Sequence, residues 1–391
     1  MTQNEAKTWI PLAKPVINQE MIEAVISALQ NEKLVMGESV FKFEEEFAHY
    51  IGVKHAISVN SGTSGLMLVA EAYGLKPKDE VVVPSATFIS TVNGAVKLGV
   101  KPVFAEISLR TYTIDVNDVI RKINEKTKMI IPVHLYGYPA ELGPLLEAAE
   151  KIIVVEDAAQ AHGAKYKGKR IGGISHAAVF SLYPTKNLTV GGDGGMITTN
   201  DDELAEKLRK LRDVGRKSRY THDLIGYTMR LNTVNAAIGR VQLRYLDQWN
   251  ERRRHLAKIY DQNLSQLDEV KTPPPPDNDH LPVYHLYVIR VPSEHRNILG
   301  AWLEQNKVQA LIHYPIPVHE QPAYSYLGYS HENLPLTKEW AKTVLSIPMF
   351  PELKDDQAKY ISELIYEFYD KKLYIDRELA RRGEEWLNKL M

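Results

Sequence analysis

The sequence predicts an α/β fold: a large domain with a mostly parallel sheet covered by helices on both faces, followed by a smaller α+β domain. Three observations predict it. Between Val53 and about Asn200, short runs rich in β-branched residues alternate with helical patterns. Several of those runs are too continuously apolar to have a wet face, which suits parallel strands buried on both sides. A long helical pattern then breaks at "TPPPPDND", and a second, shorter series of elements begins.

In chain order, "HAISV", "EVVVP", "KPVFAEI", "KMIIPVHLY", "KIIVVEDAA", "AAVFSLY" and "GGMITTN" read as strands. The segments "SGLMLVAEAYGL", "STVNGAVKLG" and "ELGPLLEAAEK" carry apolar residues at helical spacing between them. From Val234 to Leu267 a charged helical pattern includes "QWNERRRHLAKIYDQNL"; its arginines read as a solvated face, with an anion site as the alternative. Four prolines cannot continue that helix, so they mark the domain connection. "YHLYVIRV", "ILGAWLEQNKV" and "DQAKYISELIYEFYD" supply the smaller domain, and "KKLYIDRELARRGEEWLNKLM" reads as an amphipathic terminal helix that docks on its own subunit or a neighbour. The expected division is 1–250 for the large domain with its N-terminal segment, 251–370 for the small domain and 371–391 for the helical extension.

Composition excludes several function classes. The 391 residues are enough for a large core, and 48 basic against 49 acidic side chains leave no overall field for nucleic acid or an anionic membrane. With no cysteine there is no disulfide, thiolate nucleophile or Cys-ligated metal. The opening "MTQNEAKTWIPLAKP" has no apolar signal-type run, and no stretch approaches the ~18 apolar residues of a membrane helix. A cytoplasmic location is expected.

Three stretches carry chemistry. In "VNSGTSGLMLVAEA" a strand runs into a helix whose first residues, Ser61, Gly62, Thr63 and Ser64, offer unpaired N–H groups and hydroxyls to an anion; a plain helix cap by Ser61 or Thr63 is the competing explanation. In "KIIVVEDAAQAHGA", Asp157 ends a buried-looking strand, where α/β folds bind ligands, while Glu156 points to the opposite face. Asp157 suits a cationic ring nitrogen better than a metal, because no second carboxylate or histidine has ligand spacing; capping the next turn is the alternative. In "FSLYPTKNLTVGGDGGMITTND", Lys186 lies between a strand and a turn with four glycines around an aspartate. An anion cup, a carboxylate and an amine, in this order, are the parts that pyridoxal 5′-phosphate requires.

These motifs, with "MGESVFKFEEEFAHYIG", "VVVPSATFISTVNG", "PVHLYGYPA", "HLYVIR" and "IHYPIPVHEQPAY", resemble the DegT/DnrJ/EryC1/StrS family of sugar aminotransferases, over nearly the whole chain. The resemblance implies the fold-type I architecture of pyridoxal phosphate-dependent transferases. It also implies Lys186 as the Schiff-base lysine, Asp157 as partner of the pyridine nitrogen, Gln160 near the ring hydroxyl, and Gly62, Thr63 and Ser181 at the phosphate. Phe88 matches the aromatic against the ring, with core packing as its alternative. His162, Tyr183, Tyr314 and His319 are candidates for the substrate side, each with core packing as its alternative. One departure stands out: "GYTMRLN" puts Thr228 where the family usually has the asparagine that reaches a neighbour's cofactor phosphate, so that Thr228 or nearby Asn232 makes this contact across a homodimer. No metal is expected.

The activity implied is transfer of an amino group from an amino acid, L-glutamate by resemblance, to a keto sugar, with a nucleotide-linked 4-keto or 3-keto 6-deoxy sugar as first choice. A free keto-cyclitol is the alternative acceptor. A cofactor-bearing, non-catalytic regulator is the alternative class, against which stand the near-zero net charge and the lack of an appended helix-turn-helix pattern.

Overall fold

The β-branched runs and the helical patterns between them form one sheet and its covering layers, seen here in a computed structural model that describes residues 8–329 and 333–391. Residues 1–7, which belong to the N-terminal stretch read as lacking a signal-type run, and residues 330–332 lie outside the described residues. Seven strands make the main sheet: β1 (His55–Val59), β2 (Glu80–Pro84), β3 (Lys101–Ala105), β4 (Thr127–Ile130), β5 (Ile153–Asp157), β6 (Ala177–Ser181) and β7 (Gly195–Thr199). Their order is β1-β7-β6-β5-β4-β2-β3. From β6 to β3 every pairing is parallel, and β7 alone runs against both its neighbours. "Mostly parallel" therefore describes the sheet.

Alternation along the strands sends neighbouring residues to opposite layers. Ala56, Val82, Ile130 and Val154 pack on one face with α2 (Glu38–Ile51), α6 (Leu142–Ala149) and α8 (Thr233–Leu264). Ile57, Val81, Met129 and Val155 pack on the other with α3 (Gly62–Ala72), α4 (Ser90–Val96) and α7 (Asp202–Arg212). Two shorter elements complete this part, α1 (Gln19–Asn31), which lies along α8, and α5 (Val116–Lys122), beside β3.

A second core lies toward the C-terminus. Here β8 (Tyr287–Arg290) pairs antiparallel with β9 (Val344–Ile347), beside α9 (Ser293–Gln305), α10 (Pro335–Thr343) and α11 (Asp355–Asp370). Leu256, Tyr260 and Leu264 of α8 enter this core, so α8 runs unbroken through residue 250, where the domain boundary was expected. Ile10 and Leu12 enter it too, and Ile10 pairs with Val308. The N-terminal segment thus crosses from one domain to the other. Pro273 to Pro276 lie outside helix and strand, as a run of prolines must.

The chain ends in α12 (Arg377–Leu390), capped by Asp376, whose Oδ1 accepts the Leu379 N–H at 2.9 Å. Leu379, Gly383 and Trp386 form its buried stripe against α9 of the same chain. The approach is close: a Cβ on Gly300 would lie 2.6 Å from the Trp386 ring, and one on Gly383 3.0 Å from the α9 backbone. Among the described residues no helix is long and apolar enough to cross a membrane.

Because Trp386 is 3 % exposed and fills this contact, Trp386→Ala is expected to cost about 3 kcal/mol or more. Scanning calorimetry should show the thermal midpoint falling by several degrees, with Trp386→Phe falling less.

Candidate active site

Asp157 closes β5 and is buried, 5 % exposed. Thr91 of α4 donates its hydroxyl to Asp157 Oδ2 at 2.7 Å, and the Ala159 N–H donates to Oδ1 at 3.1 Å. Thr87 holds the Thr91 hydroxyl from its other side at 2.7 Å. Burial pushes the Asp157 carboxyl above the ordinary aspartate value, and Thr91, Ala159 and Lys186 pull against that rise. Glu156 does face the other way. It accepts the N–H groups of Gly172 and Ser175 and lies 3.2 Å from His134 Nε2. Burial raises its pKa, and these hydrogen bonds more than reverse the rise. Of two adjacent carboxylates, one is used up by structure and one faces a cavity.

Lys186 faces the same cavity, which has a volume of about 720 Å³ and lies beyond the carboxyl ends of β5 and β6. Its N–H donates to the Tyr183 carbonyl at 2.9 Å, so the turn after β6 aims the side chain inward. Lys186 is half-buried, and the protein packed around it strips water from its amine. That desolvation lowers its pKa to about 8, with Asp157 holding it from falling further. Nζ makes no hydrogen bond or ion pair among the described residues.

The third wall is the start of α3. Ser61 does cap the helix: its Oγ accepts the Ser64 N–H at 3.1 Å and its carbonyl accepts the Gly65 N–H at 3.0 Å. The N–H groups of Gly62 and Thr63 are left for the cavity, at the positive end of a helix dipole. Capping therefore does not use up the groups that an anion would meet here. Ser181, at the end of β6, lies beside them; a Cβ on Gly62 would stand 3.2 Å from Ser181 Cβ. The Thr63 hydroxyl donates to Ser90 Oγ at 2.8 Å. Gly195 permits this closeness, since a Cβ there would lie 2.6 Å from the Ser61 carbonyl oxygen.

Gln160 and Tyr314 bring the two domains together at the cavity. Gln160 Oε1 accepts the Tyr136 N–H at 2.6 Å, which fixes the amide so that Nε2 donates to the Tyr314 hydroxyl at 3.3 Å. Phe88, 52 % exposed, lies against the Tyr314 ring at 5.6 Å, and Tyr183, 51 % exposed, stands at the rim. Phe88 is thus a cavity wall and no core residue.

Three expected residues do not line this cavity. His162 is fully buried, its ring against Phe180 at 5.2 Å, and burial followed by the nearness of Lys186 lowers its pKa to about 3. His319 is buried with Nδ1 2.6 Å from Ser85 Oγ, between the rings of Phe104 and Tyr329. Thr228 is exposed and pairs its backbone with Asp213. Asn232 is committed as the cap of α8, its Oδ1 accepting the Asn235 N–H at 2.9 Å. The structure also adds residues that the sequence did not single out. Thr87 and Thr91 stand within the stretch "VVVPSATFISTVNG", His285 within "HLYVIR" and His313 within "IHYPIPVHEQPAY"; all four line the cavity.

A lysine with a depressed pKa, a buried carboxylate and an open helix terminus around one cavity suit amine chemistry on an anionic ligand. The family model of DegT/DnrJ/EryC1/StrS aminotransferases matches residues 15–366. The chain belongs to that family. This aminotransferase is 42% identical over 357 residues, 90% of its own length and 95% of the relative's, to the "pleiotropic regulatory protein" of Geobacillus stearothermophilus. It is 40% identical over 358 residues, 91% and 93% of the two chains, to the dTDP-3-amino-3,4,6-trideoxy-alpha-D-glucose transaminase of Streptomyces venezuelae. In structure it is similar to DesV of S. venezuelae, solved in complex with a ketimine intermediate, with a TM-score of 0.89 at 38% identity, covering 93% of this chain and 99% of that one. The α12 helix of the aminotransferase lies outside the family match.

The Lys186 charge gives a pH prediction for the cofactor-free chain. The unfolded lysine binds its proton up to its ordinary value of 10.5, whereas the folded one releases it near 8. The penalty for burying the charge is therefore full below pH 8 and vanishes as pH rises to 10.5. Lys186→Met, which removes it, should be more resistant to urea than the native chain at neutral pH, by on the order of 1–3 kcal/mol after allowance for cavity water. The difference between the two should shrink across that pH window.

Proposed function

We propose that this aminotransferase uses pyridoxal 5′-phosphate to move an amino group from L-glutamate to a nucleotide-linked 4-keto or 3-keto 6-deoxy sugar. One observation carries the reading: Lys186, Asp157 and the open start of α3 share one cavity. The donor set fits the cofactor's three chemical ends. The N–H groups of Gly62 and Thr63, with Ser181, would hold the phosphate; Asp157 would hold the protonated ring nitrogen; Gln160 Nε2 would donate to the ring hydroxyl; Phe88 would cover the ring. When bound, the cofactor supplies an aldehyde that carries the amino group and a cationic ring that accepts an electron pair.

The chain's own residues do the rest. Lys186 Nζ, with a pKa of about 8, is partly neutral near pH 7, so it can take the proton from the donor's α-carbon and return one to the acceptor carbon. Thr91 and Ala159 keep the Asp157 carboxylate oriented, so that it meets a cation without reorganising. Tyr183 and Tyr314, which line the cavity, would meet the acceptor.

A homodimer with its sites at the interface completes the reading. Ile22, Ile26 and Leu29 form an exposed apolar stripe on α1, and Leu34, Val35 and Phe41 extend it, a surface that water alone covers poorly. Thr228 is exposed and lies outside its own cavity, as a residue that serves a neighbour's phosphate would. The sugar assignment is supported by the S. venezuelae relative, whose name is that of a dTDP-amino-sugar transaminase. The Geobacillus relative's name favours a regulator as the second reading. The depressed lysine in a roomy cavity favours the enzyme.

Incubation with glutamate and a panel of dTDP- and UDP-linked keto sugars and free keto-cyclitols, read by product mass, tests the function. An aminated nucleotide sugar supports it; amination of only the cyclitols moves it to the alternative acceptor, and no product on any ketone moves it toward the regulator. Asp157→Asn is expected to keep the cofactor and lose most turnover, because an amide cannot hold the ring nitrogen protonated; near-native turnover would make Asp157 a structural cap. Thr228→Ala is expected to weaken cofactor affinity by one to two powers of ten, about 1.5–3 kcal/mol, without dissociating the dimer. Equilibrium dialysis and light scattering read the two parts, and a fully active monomer contradicts the shared site.

A further inference from the structure

We propose that Tyr136 is the positioning residue of the cavity wall made by Gln160 and Tyr314, its backbone holding the first and its hydroxyl the second. The proposal rests on the reading of Gln160 as the residue that meets the ring hydroxyl. Tyr136 follows β4 in "PVHLYGYPA" and is buried, its ring against Tyr112 at 5.5 Å. Its N–H donates to Gln160 Oε1 at 2.6 Å. Oε1 has no other partner among the described residues, so this one N–H decides which way the amide faces. Nε2 then gives one hydrogen to the Tyr314 hydroxyl at 3.3 Å and keeps the other for a ligand in the cavity. Turned over, the amide would offer the ring hydroxyl an oxygen and lose the donor. At its far end the Tyr136 hydroxyl donates to the His313 carbonyl and accepts the Trp340 Nε1–H at 3.0 Å. His313 precedes Tyr314 in the chain, so the contacts close a circuit that begins and ends on Tyr136.

Both ends of Tyr136 carry a cost that packing alone does not explain. Its backbone stands at φ +59°, in the left-handed region that a residue with a side chain adopts only at an energetic penalty. The turn is pressed onto its target, since a Cβ on the next residue, Gly137, would lie 3.0 Å from the Gln160 carbonyl oxygen. A phenylalanine would fill the same space without needing two partners for a buried hydroxyl. What the hydroxyl adds is direction. Burial lifts its pKa well above the ordinary tyrosine value, so it stays protonated and keeps donating to the His313 carbonyl. Trp340, Ile312 and Tyr314 belong to the second core, whereas Gln160 follows β5 of the main sheet. One residue therefore sets the register of a wall drawn from both domains. Each side is braced again nearby: the Val283 N–H donates to the Gly137 carbonyl at 3.1 Å, and His313 Nδ1 lies 2.9 Å from Ser346 Oγ.

The test compares two ligands on the cofactor-free, full-length chain, apart from turnover. One is pyridoxamine 5′-phosphate, which forms no covalent bond to Lys186; the other is its analogue without the ring hydroxyl. Equilibrium dialysis gives the ratio of their affinities. A hydrogen bond from Gln160 to the ring hydroxyl should make the native chain prefer the hydroxylated compound by on the order of ten-fold. Gln160→Leu should abolish that preference. Tyr136→Phe should lose most of it, because the amide is no longer held with its donor toward the ring. A ratio unchanged in Tyr136→Phe, whether both affinities fall alike or neither moves, is what a merely structural hydroxyl would give and overturns the proposal. A native chain without the preference, or a preference that survives Gln160→Leu, instead overturns the reading of Gln160. Should Tyr136→Phe not fold, hydrogen exchange at the Tyr136 amide of the native chain decides. Pyridoxamine 5′-phosphate should slow it more than the analogue does, since the ring hydroxyl steadies Gln160 against that N–H; equal slowing overturns the proposal.

Discussion

The desolvation of one amine is the constraint on which the rest of this structure depends. A lysine excluded from bulk water resists its charge, and near pH 8 Lys186 stands balanced between base and cation. Only an enclosed cavity achieves this, so the sheet, the start of α3 and the C-terminal core must all meet around it. The parallel strands β5 and β6 bring their carboxyl ends, and with them Asp157 and Ser181, to one rim. The reversed strand β7 returns the glycine turn to the same rim, and Gly195 lets it pass beside the Ser61 carbonyl.

Closing the cavity takes a second domain, and α8 ties the two together. Its 32 residues span roughly 48 Å at 1.5 Å per residue. At its N-terminus Thr233 donates to the Lys33 carbonyl and accepts the Gly37 N–H at 3.0 Å, joining it to the helices over the sheet. Farther along, Asn250 accepts from Asn187, the neighbour of Lys186, Arg253 donates to the Tyr284 carbonyl, and Tyr260 donates to the Pro348 carbonyl at 2.8 Å in the second core. Arg253 is fully buried with three carbonyls and no carboxylate; burial lowers its pKa to about 9. A cation kept on such terms holds the backbone between the domains.

The strands were the most legible part of the sequence. Six of the seven in the main sheet fall within the runs read as strands and β4 begins one residue before its run, because strands buried on both faces are written as uninterrupted β-branched stretches. Lys186, Asp157, Gly62, Thr63 and Ser181 were legible for a related reason: a ligand beyond the strand ends takes its contacts from the residues that follow each strand. α7 was not read, although "DDELAEKLRKLR" is amphipathic, and neither was β9, whose four residues are too short for periodicity to register. His285 and His313 stood within motifs quoted for other reasons. Nothing local marks them, because what brings them to Lys186 is the folding of the second core over the first. The same cause decides between the two readings of His162: it lies five residues from Asp157, yet its ring packs against Phe180 in the core.

The electrostatic content of the cavity follows from this division of labour. His162 and His313 have pKa values near 3 and 4, and His285 lies well below the ordinary value, each chiefly through burial. At neutral pH they carry no charge, which leaves Lys186 set against two carboxylates of the cavity lining, Asp157 and the exposed Asp193. With carboxylates on the wall, the partial positive charge at the start of α3 is what an entering anion turns to. An anion entering there meets no competing cation at a fixed position, and it meets two N–H groups that the helix cannot satisfy itself. Neutral histidines are thus part of the design for the same reason that the lysine is: charged, they would draw the anion away from the helix terminus and raise the cost of every proton that Lys186 holds.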